Sequence, residues 1–372
     1  MKTLRYILVP FSFIYGVLLS GRNILFDLRI LRSRKFPIWV ISIGNLSMGG
    51  TGKSPHTEYI ARLMEKLNKK YDNLDLPFHK IGILSRGYKR VTSGFLLVNK
   101  TSNAREVGDE PMQMKNRLNE VSVGVDGNRI RGIHVLLSLN PQLKLILLDD
   151  AFQHRYVRPD FSILLTNYNA PYYNDSVLPS GGLREPKSGY KRAKFIIVTN
   201  VPVNITDVEK KLIFKNINPK SSQKIFHSSI IYNSLMPVFK SKEATPSIDK
   251  NTSVVLLTGI ANTHSLYNHL AEVARDVVHV EFPDHHMYTP TDIAKVTKAF
   301  TSVSNPNKII VTTEKDSVRL VLGELMKAFG TAPVYYLPIE VKVHEEKEFE
   351  EAIISNLPSL NPNKPVTKKE NV

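Results

Sequence analysis

The chain has 372 residues, of which 42% are hydrophobic and 23% charged, a composition typical of folded rather than disordered proteins. The length predicts two domains. The absence of cysteine excludes disulfide scaffolds, thiolate metal sites, cysteine nucleophiles and iron–sulfur clusters. The formal net charge of +16 favours anionic partners. No block has the basic and aromatic texture of a nucleic-acid module, so a membrane surface or an anionic substrate ranks above nucleic acid.

An apolar segment, YILVPFSFIYGVLL, occupies residues 6–19. It is shorter than the ~20 residues of a spanning helix and contains Pro10 and Gly16. Three interpretations are open: a signal peptide, a helix buried in the core and an interfacial membrane helix. Export would separate the chain from ATP, which the segment Gly52-Lys53-Ser54 indicates that it binds. Residues 1–30 are predicted to form an interfacial helix, because basic residues that suit anionic lipid head groups follow the apolar segment. These basic residues are Arg22, Arg29, Arg32, Arg34 and Lys35.

Apolar runs then alternate with helical patterns. The runs predicted as strands of a mostly parallel sheet, buried on both faces, are residues 38–43, 80–84, 121–125, 144–148, 161–165 and 195–199. After a polar stretch at 203–250, a second α/β pattern has strands at 254–258 and 308–312, with helices from about His264 and Lys315. The sequence therefore predicts a phosphate-loop (P-loop) domain at 31–235 with helices on both faces, a smaller α/β domain at 236–360 and a disordered tail at 361–372.

The first strand leads into ISIGNLSMGGTGKSP, residues 41–55, which has the form of an ATP-binding phosphate loop. Its backbone N–H groups would bind phosphate oxygens, while Lys53 reaches the β- and γ-phosphates and Ser54 binds Mg²⁺. An amphipathic helix follows, and its N-terminus faces the anion. The residues predicted to bind ATP are Ser47, Met48, Gly49, Gly50, Thr51, Gly52, Lys53 and Ser54.

Two departures from the standard phosphate-loop pattern indicate which class of nucleotide-binding protein the loop resembles. Ser47 replaces an expected glycine, and the pair Gly49-Gly50 resembles the loop of dimeric switch ATPases. Those ATPases carry a signature lysine where this chain has Met48, so that class is disfavoured. The guanine motif N-K-x-D is matched neither at 199–202 nor at 313–316, so ATP is preferred to GTP.

Other polar clusters follow the predicted strands. Asp149 and Asp150 come after four apolar residues and are predicted to hold Mg²⁺. Asp109 and Glu110, between a glycine and a proline, taken alone fit a helix-entry turn better than a catalytic base. The adjacent histidines at 285 and 286 lack the spacing of a helical zinc site.

Together these clusters resemble the tetraacyldisaccharide 4'-kinase family, the lipid A 4'-kinases of Gram-negative bacteria. The resemblance extends to about residue 320. The departures are minor: Ala151 stands where the family often has Gly, and Ser54 where Thr is common. The matching pieces are Gly44-Asn45, Gly49-Gly50-Thr51-Gly52-Lys53-Ser54-Pro55, Ser85-Arg86-Gly87-Tyr88, Gly108-Asp109-Glu110-Pro111, Asp149-Asp150-Ala151-Phe152-Gln153-His154, Leu183-Arg184-Glu185-Pro186, Phe282-Pro283-Asp284-His285 and Thr313-Glu314-Lys315-Asp316.

The resemblance implies transfer of the ATP γ-phosphate to the 4'-hydroxyl of a tetraacylated glucosamine disaccharide 1-phosphate, giving lipid IVA. It implies two α/β domains with the site in the cleft between them, and a peripheral or monotopic enzyme at the cytoplasmic face of the inner membrane. It also reverses the interpretation of the turn that contains Asp109. The resemblance implies that Asp109 is the base at the acceptor hydroxyl and that His285 is its partner. Lys53 is the expected catalytic residue at the phosphates. Glu110 joins Ser54, Asp149 and Asp150 as an expected metal ligand. The residues expected at the substrate are Arg86, Arg129, Arg184, Gln153 and His154.

Two other functions stay open on the residues alone. One is a nucleotide-switched membrane-binding ATPase without a lipid acceptor, which Met48 and the lack of switch motifs disfavour. The other is a soluble small-metabolite kinase, which leaves the basic, apolar N-terminus unexplained. The predicted cofactors are ATP and Mg²⁺, and the predicted partners are a glycolipid and an anionic membrane surface. Neither nucleic acid nor an obligate protein partner is expected.

Overall fold

The computed structural model describes residues 2–70, 80–239, 245–321 and 323–357. The predicted disordered tail lies outside this range. The strands are β1 (Trp39–Asn45), β2 (Ile81–Ser85), β3 (Leu96–Leu97), β4 (Ser122–Val125), β5 (Leu145–Asp149), β6 (Phe161–Asn167), β7 (Phe195–Thr199), β8 (Lys224–Tyr232), β9 (Met236–Pro237), β10 (Ser253–Thr258), β11 (Asp276–Glu281), β12 (Lys308–Thr313), β13 (Val334–Leu337) and β14 (Ile339–Val343). The α-helices are α1 (Lys2–Asp27), α2 (Lys53–Lys70), α3 (Ala104–Val107), α4 (Asp109–Arg117), α5 (Arg129–Leu139), α6 (Asp207–Ile217), α7 (His264–Val273), α8 (Pro290–Ser302), α9 (Glu314–Leu320), α10 (Gly323–Phe329) and α11 (Glu346–Ser355).

The larger sheet has nine strands in the order β14-β8-β7-β6-β1-β5-β2-β4-β3. Its pairings are parallel except for the two edge strands, β14 and β3, which are antiparallel to their neighbours. The strand β1 lies between β5 and β6, and Ile43 is in register with Asp149. This register brings the end of β1, where the phosphate loop starts, beside the carboxylates that follow β5.

Helices cover both faces of this sheet, as the sequence predicts. One face packs against α2, α4 and α11 through residues such as Met64, Met114 and Phe349. The opposite face packs against α5 and α6. Because both faces are covered, the central strands are mostly apolar, which made their sequences recognisable.

A smaller sheet of five strands has the order β11-β10-β12-β13-β9, and only the β9 pairing is antiparallel. It is covered by α7 on one face and by α8, α9 and α10 on the other. The fold class is therefore the predicted one, a mostly parallel P-loop-type α/β sheet with a second, smaller α/β unit.

The sheets and the predicted domain limits divide the chain differently. Although they lie beyond residue 235, β14 pairs with β8 and α11 packs on the larger sheet. Residues 338–357 thus return to the first unit after the smaller sheet is complete. The division into 31–235 and 236–360 stays a prediction about domains, and it does not follow the sheet membership of this last segment.

The N-terminal helix α1 is longer than the apolar run that predicted it. Among the described residues, one helix segment, Ile7–Asp27, is long and apolar enough to cross a membrane by length and composition, with a mean hydropathy of 1.4. Little of this segment is buried, which is not the burial of a core helix. Large apolar side chains, including Phe11, Phe13 and Leu18, are exposed. An interfacial position therefore stays a prediction that this exposure favours.

Candidate active site

The phosphate loop joins the end of β1 to the first residue of α2, Lys53. Gly49, Gly50 and Gly52 have φ angles of 72°, 66° and 72°, a left-handed backbone that is strained for other residues. Neighbouring side chains hold the loop: the Asn45 amide donates to the Thr51 hydroxyl at 2.7 Å, and the Asn167 amide donates to the Gly50 carbonyl at 2.9 Å. The loop is therefore preformed for phosphate, with the N-terminus of α2 behind it.

The residues that departed from the standard loop pattern have a structural role. Ser47 forms an isolated antiparallel bridge with Leu183, and the Met48 N–H donates to the Gly182 carbonyl at 2.8 Å. Ser47 is not among the residues with positive φ. A glycine is not required at position 47, because the backbone there is paired with the segment 182–183 in a conformation that any residue adopts.

Asp150 lies between two cations at the phosphate loop. The Lys53 ammonium is 3.7 Å from an Asp150 carboxylate oxygen, and Nη1 of Arg184 donates to both oxygens at 2.9 Å. Burial alone would raise the pKa of Asp150, but Lys53 and Arg184 together hold it below its ordinary value. Asp150 therefore stays ionised at neutral pH and positions both cations beside the loop.

Asp149 is the buried member of the acidic pair, with 1% of its surface exposed. Its carboxylate accepts hydrogen bonds from the hydroxyls of Thr57 at 3.1 Å and Ser85 at 3.0 Å. Burial, followed by the charges of Glu110 and Asp150, raises its pKa to about 6. A cation beside Asp149 would offset the negative charges of Asp149, Asp150 and Glu110.

These donors fit Mg²⁺, which takes one or two carboxylates and shares its remaining positions with phosphate oxygens and water. Ser54 lies one helical turn before Thr57, the residue that contacts Asp149, so its hydroxyl lies on the same face of α2. In residues 2–70, 80–239, 245–321 and 323–357, no group of three or more His, Asp and Glu forms a closed metal site. The donors present would therefore suit a Mg²⁺ ion that phosphate oxygens and water also coordinate.

Asp109, from the unit of the larger sheet, contacts His285, from the unit of the smaller sheet. Asp109 is the first residue of α4, and His285 lies in the loop after β11 with a φ of 60°. Nδ1 of His285 is 2.9 Å from Oδ2 of Asp109, while Oδ1 accepts the Glu110 N–H at 3.0 Å. The sequence analysis expected this pair from the family resemblance, and the fold brings it together from positions 176 residues apart.

Lys315 fixes the tautomer of His285. Its ammonium lies 3.1 Å from Nε2 of His285 and 3.1 Å from Oε1 of Glu110. Because an ammonium only donates, Nε2 must accept, and the ring proton is on Nδ1, where it is donated to Asp109. Burial would raise the pKa of Asp109, but the His285 hydrogen bond and the charges of Lys315 and Arg319 outweigh burial and lower it.

The role of Lys315 was missed by sequence reasoning, which treated Thr313-Glu314-Lys315-Asp316 only as a matching motif. A signal was present, because the motif directly follows an apolar strand, at the sheet edge where ligand-binding loops gather. The buried carboxylate of Asp316 explains the rest of the motif. It accepts from the Gly259 N–H, the Tyr288 hydroxyl and Arg319, and so fixes the loops on either side of His285.

A cavity of about 250 Å³ opens at this pair. Asp109, His285 and Arg319 line it together with Tyr88, whose ring lies edge-on to His285 with 5.2 Å between centroids. The cavity therefore offers an ionised carboxylate and apolar ring surface to an incoming group, as a sugar hydroxyl requires.

The model of the tetraacyldisaccharide-1-P 4'-kinase family matches residues 4–358, nearly the whole chain. The chain belongs to the tetraacyldisaccharide 4'-kinase family. Curated relatives agree. A tetraacyldisaccharide 4'-kinase of Bacteroides thetaiotaomicron is 40% identical, with 98% of this chain and 96% of that protein aligned. One of Flavobacterium psychrophilum is 42% identical, covering 98% of this chain and 100% of that protein.

A solved structure of the family has the same fold. It is the crystal structure of "apo" form LpxK from Aquifex aeolicus in complex with ATP, at a TM-score of 0.71 and 28% identity. The similarity covers 95% of this chain and 99% of that chain. The shared fold thus extends over nearly the whole chain.

The predicted substrate residues of this 4'-kinase lie in different surroundings. Arg184 is at the phosphate loop, and Arg86 is exposed beside a second cavity. Arg129 is buried and donates to the carbonyls of Asp126 and Asp149. The Gln153 amide donates to the Asn45 carbonyl at 2.5 Å. Arg129 and Gln153 therefore already have partners within the protein.

The last predicted substrate residue, His154, is half-buried. Burial and the charge of Arg129 lower its pKa to about 4. Its imidazole is therefore neutral at physiological pH, which suits a hydrogen-bonding rather than a charge-pairing role.

Segment 175–186 connects α1 of this 4'-kinase to the phosphate loop, a link that sequence reasoning missed. On the α1 side, the Ser12 and Ser180 hydroxyls are 2.8 Å apart, and the Asn23 amide donates to Glu185 at 3.2 Å. On the other side, the Arg184 N–H donates to the Leu46 carbonyl at 2.7 Å. The helix α1 and the phosphate loop thus contact the same segment.

Proposed function

We propose that this chain transfers the γ-phosphate of ATP to the 4'-hydroxyl of a tetraacyldisaccharide 1-phosphate, as the names of its relatives describe. The observation that carries the proposal is the Asp109–His285 pair, which lines a cavity and contacts Lys315. A sugar hydroxyl is a weak nucleophile, and a positioned, ionised carboxylate is the group that assists it.

Nucleotide binding rests on the backbone N–H groups of residues 47–52, with Lys53 at the β- and γ-phosphates. Arg184 shares Asp150 with Lys53, which supports a role for its guanidinium at the phosphoryl group in transfer. Mg²⁺, held by Ser54, Asp149 and Asp150, would neutralise charge on the phosphate oxygens. Glu110, the fourth predicted metal ligand, has Lys315 as its partner at 3.1 Å.

The transfer step follows from the proton positions. The 4'-oxygen attacks the γ-phosphorus, and the bond between this phosphorus and the β–γ bridging oxygen breaks, releasing ADP. Asp109 accepts the proton of the 4'-hydroxyl. Its second partner, the His285 Nδ1–H, keeps the carboxylate oriented throughout, while Lys315 keeps that proton on Nδ1.

The membrane assignment is also a proposal. The exposed apolar face of α1 and the basic residues that follow it suit insertion into the surface of an anionic bilayer, where a glycolipid substrate resides. We place the site on the cytoplasmic side of the inner membrane, because ATP is available there.

The direct test supplies purified full-length protein with γ-labelled ATP and Mg²⁺, with and without the tetraacyldisaccharide 1-phosphate. We expect label in the lipid, and only when the lipid is present. Label released only as inorganic phosphate, at a rate that vesicles stimulate without any labelled lipid, would instead support a membrane-bound switch ATPase.

A further inference from the structure

His56, in the first turn of α2, is a buried histidine that the transfer step does not use. It is 1% exposed, and both of its ring nitrogens have partners. Nδ1 lies 2.6 Å from the Gly52 carbonyl oxygen, and Nε2 lies 2.9 Å from the Ser228 hydroxyl of β8. The imidazole therefore joins the end of the phosphate loop to a strand of the larger sheet.

The partners of His56 determine its tautomer and its charge. A carbonyl oxygen only accepts, so Nδ1 carries the ring proton and donates it to Gly52. Nε2 accepts the hydroxyl proton of Ser228. Burial lowers the pKa of His56 to about 4, although the Gly52 hydrogen bond opposes this change. The ring is thus neutral at physiological pH and acts on the loop as a hydrogen-bond donor rather than as a charge.

The Gly52 carbonyl accepts from two donors of the same residue. Besides Nδ1, the backbone N–H of His56 donates to it at 3.1 Å. The imidazole also packs against Gly52, because a Cβ on this glycine would lie only 3.3 Å from Nδ1. With its φ of 72°, Gly52 has a backbone conformation that favours glycine, and His56 occupies the space beside it.

The position of this carbonyl determines the direction of an N–H group. A trans peptide group is planar, and its C=O and N–H point in opposite directions. The carbonyl of the group that joins Gly52 to Lys53 is held at His56, so the Lys53 N–H is directed away from His56. The first N–H groups of a helix have no partner within the helix and are suited to phosphate oxygens. Hydrogen bonding to the carbonyl also polarises the peptide group and strengthens its N–H as a donor.

We infer that His56 is a positioning residue for the nucleotide. Its neutral imidazole holds the peptide group between Gly52 and Lys53 so that the Lys53 N–H donates to a phosphate of ATP. The inference rests on the proposed function, because ATP is the ligand that the loop would bind. The phosphate-loop pattern requires no histidine three residues after its lysine. The role comes instead from the fold, which brings Ser228 to His56 from 172 residues away.

The test compares two amides of different reach at position 56 in the full-length protein. In His56→Asn the amide group lies at the position of Nδ1 and can still donate to Gly52. In His56→Gln it lies one bond farther from the backbone, at the position of Nε2, and reaches Ser228 instead. We expect His56→Gln to raise the Kd of ATP about tenfold, the loss of one hydrogen bond, and His56→Asn to stay within about threefold of the wild type.

Calorimetric titration with ATP and Mg²⁺ measures the Kd, and lipid labelling measures the KM values. The KM of ATP should follow the Kd, whereas the KM of the lipid acceptor should stay unchanged. His56→Leu, which has no donor, should behave as His56→Gln does, and the Asn and Gln pair carries the test if His56→Leu does not fold. His134→Gln, on an exposed histidine of α5, is the control and should change neither KM.

Equal Kd values of ATP for His56→Asn and His56→Gln would overturn the positioning role, because a histidine that only fills space does not distinguish the two amides. A rise of the ATP and lipid KM values by the same factor would overturn it as well. A wild type that binds ATP but does not label the lipid would instead overturn the proposed function, while the Kd values still decide the role of His56.

Discussion

The Asp109 carboxylate has two roles that its local sequence does not separate. It is the first residue of α4, so the helix-entry interpretation of Gly108-Asp109-Glu110-Pro111 is confirmed as local structure. The same carboxylate also contacts His285, far along the chain. Local pattern reasoning identifies the turn, whereas a contact between distant residues depends on how the two sheets pack. The expectation of a catalytic pair therefore came from the family resemblance.

Asp109→Asn removes the proposed base with little change in volume. We expect kcat to fall by about 10²- to 10⁴-fold, the usual contribution of a positioned general base. The KM of ATP should be unchanged, because the phosphate loop is untouched. Steady-state kinetics of label transfer measure both. Asp207→Asn, on an exposed carboxylate in the first turn of α6, is the control, and a kcat of Asp109→Asn equal to that control contradicts the role.

Lys315→Met should change the pH dependence of transfer. Loss of this cation removes an influence that lowers the pKa of Asp109, so the carboxylate becomes protonated at higher pH. The acid limb of the kcat/KM profile should therefore move to higher pH, while Lys315→Arg keeps the cation and should move it less. A uniform loss of activity at every pH, with an unmoved acid limb, would mean that Lys315 is only structural.

At the scale of elements, the strands that sequence predicted are the fully buried ones. The predicted run at 195–199 has the bounds of β7, and the other central strands agree to within a few residues. The strands β8, β11 and β13 were not predicted, and β8 lies in the stretch described as polar. The short edge strands β3 and β9 were also missed, as was the return of β14 to the larger sheet. Two-residue strands carry too little apolar pattern, and β14 takes its place from pairing with distant β8.

A buried ion cluster links the elements of the two sheets. Arg117, the last residue of α4, donates to Glu58 of α2 at 3.0 Å and to Glu314 of α9 at 2.5 Å. It also donates to the Ile339 carbonyl at 2.9 Å. Two buried carboxylates thus share one guanidinium, and one of them lies next to Lys315 in the chain. The cluster therefore contributes to holding the second sheet over the phosphate-loop helix.

Glu58→Gln tests this cluster through the pH dependence of stability. Burial raises the pKa of Glu58 to about 7, despite Arg117 and with help from the charge of Glu314. A carboxyl whose pKa is higher in the folded state favours folding at low pH, and this contribution is lost as pH rises from about 4.5 to 7. The free energy of unfolding should therefore fall by about 3 kcal/mol over that window, beyond other titrations.

Denaturant unfolding at a series of pH values measures this slope. In Glu58→Gln the decline should be smaller by that amount, because the amide does not titrate. Glu65→Gln, also on α2 but outside the cluster, is the control and should keep the slope of the wild type. Identical slopes in wild type and Glu58→Gln would contradict the raised pKa.

At the scale of the molecule, three parts converge on one edge of the larger sheet: α1, the phosphate loop and the smaller sheet. The helix α1 reaches the loop through segment 175–186. The smaller sheet contacts Asp109 and Glu110 of α4 through His285 and Lys315. The sequence predicted the existence of all three parts, from an apolar run, a glycine-rich loop and a second α/β pattern. Their convergence depends on side-chain contacts between distant segments, which no local pattern contains.

Phe13→Ser should weaken binding to anionic lipid vesicles. Phe13 is 72% exposed on α1, and burial of one such side chain in lipid contributes about 2 kcal/mol. We therefore expect a partition coefficient more than tenfold lower in vesicle co-sedimentation. Phe214→Ser is the matched control, because Phe214 is 58% exposed on α6, and it should bind as the wild type does. Equal losses for both variants would argue against α1 as the membrane contact.

The most direct test of the central claim is the position of the transferred phosphate. Full-length protein is incubated with γ-labelled ATP, Mg²⁺ and the tetraacyldisaccharide 1-phosphate, and the labelled lipid is treated with mild acid, which cleaves an anomeric phosphate but not an ordinary phosphate monoester. The account predicts that wild-type protein labels the lipid, that the label survives mild acid, and that Asp109→Asn reduces labelling at least 100-fold. Label that mild acid removes, or labelling by Asp109→Asn at the wild-type rate, would contradict it.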